Sequence, residues 1–452
     1  MNADVAVLGM GPGGEYVATE LAKAGLDVVG VEKELLGGEC PYWACVPTKM
    51  MVRATDALAE GERINVLAGR STIERSWDPV ARRIREEATD NWDDAVAVER
   101  FESAGGRFMR GEARLDGARR VVVGDERIDV SKAIVVATGT RPRIPDIEGL
   151  DGIDYWTNRG AVQATSVPES VVIVGGGAVG CEFAQMFARF GARVTLLEGK
   201  AHILPSEETE ACNLLHDVFA ADGIDVRAEQ AAVACASSPD GVAVTTDKGS
   251  TVSAERMLLA TGRWADLGAV GTSTIGIDEK ERWVPVDDHL RVRGAPGVWA
   301  IGDVVGGGFT HMAVHHARIV IADILGRPTP GTSDRAKPRV TFTDPEVGAV
   351  GLTDRVARQR GIDVRTGISQ VSDSARGWIH KVGNQGFIKL VEDSDRGVLV
   401  GATSVGPVGG EVLSMLTLAI EAEIRCDDLR HMIYAYPTFH RAVEDALADL
   451  AS

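Results

Sequence analysis

The chain has no long apolar run, no excess of positive charge and few cysteines. None of its 452 residues fall in a stretch approaching the roughly 18 consecutive apolar residues a membrane helix needs, so no membrane partner is expected. Lysine and arginine number 48 against 66 aspartates and glutamates, a net charge of −18. Such a surface repels phosphate backbones, so nucleic acid is not an expected partner. The N-terminal run Met1-Asn2-Ala3-Asp4-Val5-Ala6-Val7-Leu8-Gly9 lacks a basic flank. It reads as a strand entering a glycine turn rather than an export signal, and a cytoplasmic protein is expected. Of six cysteines, only Cys40 and Cys45 are close in sequence. In a reducing compartment such a pair is catalytic more often than structural. Cys181, Cys212, Cys235 and Cys426 are expected to be buried, inert thiols.

Glycine is plentiful, at 52 residues, which fits several turns that approach phosphates. The length suggests about three domains. Apolar strands alternate with helical stretches, which indicates α/β architecture. Strands are expected at Val5–Leu8, Asp27–Val31 and Val171–Val174, with a helix from about Gly13 to Ala24. A β-rich patch covers about 107–137, and another strand and turn lie at Val298–Asp303. Beyond about 331 the pattern mixes strand and helix, with no glycine-rich phosphate loop.

Gly9-Met10-Gly11-Pro12-Gly13-Gly14 satisfies G-x-G-x-x-G directly after a strand, and Glu32 follows where a carboxylate can accept from a ribose diol. The glycines permit a tight turn and close backbone approach, and the helix N-terminus faces a pyrophosphate. Gly175-Gly176-Gly177-Ala178-Val179-Gly180 repeats the pattern, with Glu198 in the matching place. A carboxylate there repels the 2′-phosphate of NADPH and favours NADH, although Lys200 and His202 can offset that. Two loops imply two dinucleotides, naturally a flavin and a nicotinamide with hydride passing between them.

Cysteines five apart on a regular helix are too distant for a disulfide, which needs Cα atoms within about 7 Å. Pro41 favours the first helical position, which places Cys40 at the N-cap, where the helix dipole stabilises a thiolate. Pro47 is expected to disfavour helical geometry at Val46. No second Cys/His pair lies nearby, so no metal is expected.

The loops, Gly37-Gly38-Glu39-Cys40-x4-Cys45-Val46-Pro47-Thr48-Lys49, Ala137-Thr138-Gly139, Ala260-Thr261-Gly262, Gly302-Asp303 and Phe342-Thr343-Asp344-Pro345-Glu346-Val347-Gly348 together resemble the class I flavoprotein disulfide reductases. That family includes lipoamide dehydrogenase, glutathione reductase and mercuric reductase, and the resemblance runs the length of the chain. It implies two Rossmann-like dinucleotide-binding domains plus a C-terminal α+β dimerisation domain. The expected boundaries are 1–150 with 280–330 for FAD, 151–279 for NAD(P)H and 331–452 for the interface of a homodimer with composite active sites. By resemblance, Gly9, Gly11, Gly14, Glu32, Thr138, Gly139, Asp303 and Ala313 would surround FAD. Gly175, Gly177, Gly180, Glu198 and Gly262 would belong to the nicotinamide side. Lys49, paired with Glu182, would sit near flavin N5. Cys45 would be the thiol nearest the flavin, and Cys40 the interchange thiol. The implied activity passes electrons from NADH or NADPH through FAD and a redox-active Cys40–Cys45 disulfide to a small disulfide or other thiol-reactive small molecule. The alternative is direct transfer from flavin to a quinone or similar acceptor.

The C-terminus departs from that pattern. Where disulfide-reducing members carry His-Pro-Thr-x-Ser-Glu, this chain reads Tyr436-Pro437-Thr438-Phe439-His440-Arg441. Tyrosine, with an ordinary pKa of about 10, is a poor base near neutrality. Dihydrolipoamide is therefore not the expected substrate. Mercuric reductase is similar in using a tyrosine here, but the final Asp449-Leu450-Ala451-Ser452 lacks that enzyme's cysteine pair, and mercuric reduction is not expected. If Pro437 opens a helix, His440 and Glu444 fall one turn apart as a displaced acid–base dyad. Pro41-Tyr42-Trp43-Ala44 also departs from the family's small-polar run, with Trp43 expected either to pack the core or to narrow the substrate side.

Overall fold

A computed structural model describes residues 1–451. The chain divides into two compact units, the first comprising Met1–Thr48, Arg82–Arg143 and Gly262–Ser333. Its central strand, Asn2–Leu8, pairs in parallel with Val28–Glu32 on one side and Glu126–Val136 on the other. Arg107–Arg110 extends the sheet beyond Val28–Glu32, and Val298–Ala300 adds another parallel strand along Glu126–Val136. An antiparallel meander, Ala113–Leu115 and Arg120–Val123, continues from the same strand. The central strand is buried on both faces. Val5 and Val7 pack into one apolar cluster with Val17, Leu21 and Ala317, while Ala6 and Leu8 face the other with Ile128 and Val298.

Two helices cover the face bearing Val5 and Val7. Pro12–Lys23 starts with proline, whose missing N–H would go unpaired there anyway, and ends with Lys23 against the dipole's negative end. Thr310–Ile324 buries Met312, Ala313, His316, Ala317, Ile319 and Val320, the spacing of one helical face.

The second unit comprises Lys49–Ala81, Ile144–Thr261 and the chain from Asp334 onward. A parallel sheet runs Asp225–Arg227, Arg193–Leu197, Ser170–Val174, Arg256–Leu259, with Ala178–Arg189 as the helix after the first strand of this unit. A three-stranded antiparallel sheet, Ala232–Ser238, Gly241–Thr246 and Thr251–Ala254, accompanies it. The C-terminal part forms a five-stranded antiparallel sheet in the order Pro338–Thr341, Glu346–Gly351, Val398–Gly406, Phe387–Asp393, Val364–Gln370. Helices Gly409–Glu421 and Ala442–Asp449 bury Leu413, Leu416, Val443 and Leu447 together with Ile388, Leu390 and Ala402 of that sheet. The chain thus holds two Rossmann-like folds and an α+β segment. Among the described residues, no helix is long and apolar enough to cross a membrane.

Candidate active site

The two glycine loops are built alike. Gly9 takes φ +89° and Gly175 φ +110°, a region that favours glycine. A Cβ on Gly14 would lie 2.0 Å from the Gly9 carbonyl oxygen, and one on Gly180 would lie 1.9 Å from that of Gly175. At Gly11 and Gly177 nothing stands within 4 Å of a Cβ, so the backbone is bare on the side a ligand approaches. Beneath each loop lies an Ala-Thr segment. Cβ positions at Gly9 and Gly175 fall 2.5 Å from the Ala137 carbonyl oxygen and 2.4 Å from that of Ala260. The shared geometry extends to the acids. Glu32 accepts from the Met10 N–H (2.9 Å) and the Glu34 N–H (2.9 Å), while Glu198 accepts from the Gly176 N–H (2.8 Å) and the Lys200 N–H (2.8 Å). A carboxylate accepts about four hydrogen bonds, so each retains capacity for a ribose diol. Both cradles fit a dinucleotide.

Gly139 and Gly262, at φ +66° and +98°, are likewise unobstructed. In the first unit the Asp303 carboxylate accepts from the Thr140 hydroxyl at 3.0 Å, and Thr140 is held in turn by Arg263 at 2.8 Å. Ala313 packs over the first loop, its Cβ 3.1 Å from where a Cβ on Gly13 would stand.

The dithiol sits at a break between helices. Cys40 lies within the one-turn helix Glu39–Tyr42, whose N-cap is Gly38 at φ +67°. Cys45 opens the long helix Cys45–Leu67. This corrects the sequence reading in two places. Gly38, not Cys40, caps the short helix, because only glycine suits its left-handed backbone, and a Cβ there would stand 2.8 Å from the Gly11 Cα. Val46 is helical despite Pro47, because Pro47 falls in the first turn, where its missing N–H costs nothing. The favourable helix end therefore belongs to Cys45. The Cys40 thiol is held far above the usual range, first by its hydrogen bond with Cys45 and then by burial, with the Thr310 hydroxyl acting the other way. Thr310 Oγ1 lies 3.3 Å from Cys45 Sγ. Trp43 is buried and packs beside Tyr42, so its ring fills the protein interior.

In the second unit, the Lys49 ammonium pairs with the Glu182 carboxylate and stands 4.6 Å from the centre of the Phe342 ring. The other Glu182 oxygen accepts from the Phe342 N–H at 2.9 Å. The structure thus brings Lys49 and Glu182 together, with Phe342 bracing both.

His440 and Glu444 are not brought together. Phe439–Arg441 forms a 3-10 turn and the helix begins only at Ala442, so His440 lies ahead of the helix that carries Glu444. Glu444 faces Arg441 at 3.4 Å, and the Arg441 guanidinium also lies over the exposed Tyr436 ring at 5.4 Å. A permanent cation three residues away competes for the carboxylate more strongly than an imidazole. Cys181, Cys212, Cys235 and Cys426 are buried. Sequence reasoning places Thr310 and His316 only in a segment, Phe309–His316, that resembles the family's stretch after the Gly302-Asp303 turn, gives Thr140 and Arg263 no role, and uses Phe342 only as part of a motif, because the partners of all five are distant in the chain.

The chain matches the family model for pyridine nucleotide-disulphide oxidoreductases over residues 3–318 and that family's dimerisation domain over 337–447. It is 33% identical to a dihydrolipoyl dehydrogenase of Chlorobaculum tepidum, over 99% of this chain and 96% of that one. A dihydrolipoyl dehydrogenase of Zymomonas mobilis is 31% identical, over 98% and 97%. Among solved structures, LpdA from Mycobacterium tuberculosis superposes with a TM-score of 0.87 at 25% identity, over 99% of each chain.

Proposed function

Because the chain belongs to the pyridine nucleotide-disulphide oxidoreductases, FAD-dependent enzymes with NAD(P)H as electron donor, we propose that its Cys40–Cys45 pair delivers those electrons to a small disulfide or another thiol-reactive acceptor. The first loop, with Glu32, Thr138, Gly139, Asp303 and Ala313, would hold FAD, and the second, with Glu198, the nicotinamide dinucleotide. The expected limits, 1–150 with 280–330, 151–279 and 331–452, serve as the working domain boundaries. Bound there, FAD supplies hydride acceptance from NAD(P)H and two-electron delivery to the disulfide.

The chain's own residues then act in order. Cys45, at the start of a 23-residue helix and beside the Thr310 hydroxyl, is the sulfur whose thiolate is stabilised. Cys40 is the partner able to attack an acceptor, its proton passing to the Cys45 thiolate with which it is hydrogen-bonded. Its sulfur bonds to one sulfur of a substrate disulfide and expels the other as thiolate. Cys45 next attacks Cys40, expels the second thiolate and restores the pair. Two electrons leave the dithiol and two thiols form. The observation that carries this reading is the single placement of Cys45 against Cys40, Thr310 and a helix N-terminus.

Tyr436 and Arg441, in place of a histidine–glutamate pair, argue against dihydrolipoamide, although the curated relatives bear that name. Glu198, fixed by two amides, favours NADH over NADPH. The dimerisation domain supports a homodimer. Trp378 and Ile433, 73% and 95% exposed, offer apolar surface within that domain for a second copy.

The test is anaerobic titration of the purified holoenzyme with NADH and, separately, NADPH. The reading expects a long-wavelength charge-transfer band and uptake of more electrons than the flavin alone accepts. Bleaching without that band, and full turnover by Cys40→Ser, would instead establish direct transfer to a quinone-like acceptor.

A further inference from the structure

His316 lies on the helix Thr310–Ile324 and is 5% exposed. Its Nδ1 accepts the backbone N–H of Gly302 at 3.2 Å. That fixes the tautomer, because an Nδ1 that accepts carries no proton. Gly302 opens the turn Gly302–Val305 at φ +74° and cannot carry a side chain comfortably, since a Cβ would meet the Ala313 Cβ at 3.3 Å. The turn closes on itself through Gly307 N–H to the Gly302 carbonyl (3.0 Å) and Gly306 N–H to the Asp303 carbonyl (2.9 Å). The next residue is Asp303, whose carboxylate is held by Thr140.

Thr310, Ala313 and His316 are spaced three residues apart on one helix. Thr310 meets Cys45, Ala313 faces Gly13 and Gly302, and His316 ties down the Gly302 amide. One face of this helix therefore fastens the dithiol, the first glycine loop and the aspartate turn within the same unit.

We propose that His316 is a positioning residue for FAD: its Nδ1 holds the Gly302 amide and so sets where the Asp303 carboxylate stands. This rests on the reading that the first unit binds FAD at Asp303. Packing alone does not account for an imidazole here, because an apolar residue would fill the space and leave the buried Gly302 N–H unpaired.

The experiment compares FAD affinity of the apoprotein, by fluorescence titration, for the wild type and for His316→Leu, His316→Asn and His316→Gln. An asparagine places an acceptor at the δ position, as Nδ1 does. Glutamine places it one atom further out, and leucine has none. His316→Leu and His316→Gln should weaken FAD binding about tenfold, the scale of one buried donor left unsatisfied, while His316→Asn should stay within about twofold of wild type. Equal affinity in all four proteins, or an asparagine variant as weak as leucine, overturns the proposal. If His316→Leu does not fold, the asparagine–glutamine difference still decides it. A wild-type protein that binds no FAD would refute the underlying reading instead, and so the two failures are distinguishable.

Discussion

The two nucleotide loops share the glycines at their first, third and sixth positions, a positive φ at the first, the Ala-Thr segment beneath and the doubly held carboxylate, yet their surroundings differ. In the first, Gly13 is buried and faces Ala313 and Ile301. In the second the corresponding residue is Val179, which is 46% exposed. We read a position that must be glycine because a helix presses on it as suited to a ligand held under cover, and a valine left open at the same position as suited to one that comes and goes. The motif alone says dinucleotide, and on our proposal what lies over it distinguishes the resident cofactor from the exchanging one.

The sharpest way to break this comparison is to damage both loops identically. Gly14→Ala and Gly180→Ala each drive a Cβ into a carbonyl oxygen at about the same distance. Gly14→Ala should purify without flavin. Gly180→Ala should stay yellow, with its KM for the nicotinamide raised more than about tenfold. The flavin-to-protein absorbance ratio reads this directly, and loss of flavin from Gly180→Ala would reverse the assignment of the loops.

A smaller effect separates the acids. Glu198→Ala removes a negative charge from the place where a 2′-phosphate would sit, so the ratio of kcat/KM for NADPH to that for NADH should rise about tenfold. Glu32→Ala should leave that ratio unchanged while weakening FAD retention. A ratio that responds to Glu32 and ignores Glu198 would sink the comparison.

Much of this was legible because the informative signals are local. A glycine loop after a strand, an acid at the end of the next strand and two cysteines beside a proline are all short-range patterns. The strand Asn2–Leu8 and helix Pro12–Lys23 lie within a few residues of their expected limits. The pairing of Lys49 with Glu182 came through resemblance, since 133 positions separate the two. Residues whose role depends on distant backbone stayed hidden. Thr310 meets Cys45 across 265 positions, and Phe342 braces Glu182 across 160. The His440–Glu444 dyad failed for a local reason of a different kind. Helical spacing was assumed from Pro437 onward, but the chain spends three residues in a 3-10 turn first and Arg441 engages the carboxylate.

Glu346 extends the comparison of carboxylates to the smallest effect. It too accepts a backbone amide, Gly410 N–H at 2.8 Å, yet burial, with Asp56, Glu411 and Asp344 nearby, pushes its pKa up to about 7. Asp56, chiefly through burial and beside Asp344, is raised to about 6. Between the ordinary carboxylate range and these values the folded chain keeps protons that the unfolded chain releases, so stability should fall as pH rises from about 4.5 to 7 and level off above. Glu346→Gln keeps the acceptor for Gly410 and removes the titration. Its urea midpoint relative to wild type should therefore be higher at pH 8 than at pH 5. If the difference from wild type is the same at both pH values, Glu346 is not the group that couples protons to folding, and an amide contact rather than burial governs this carboxylate as well.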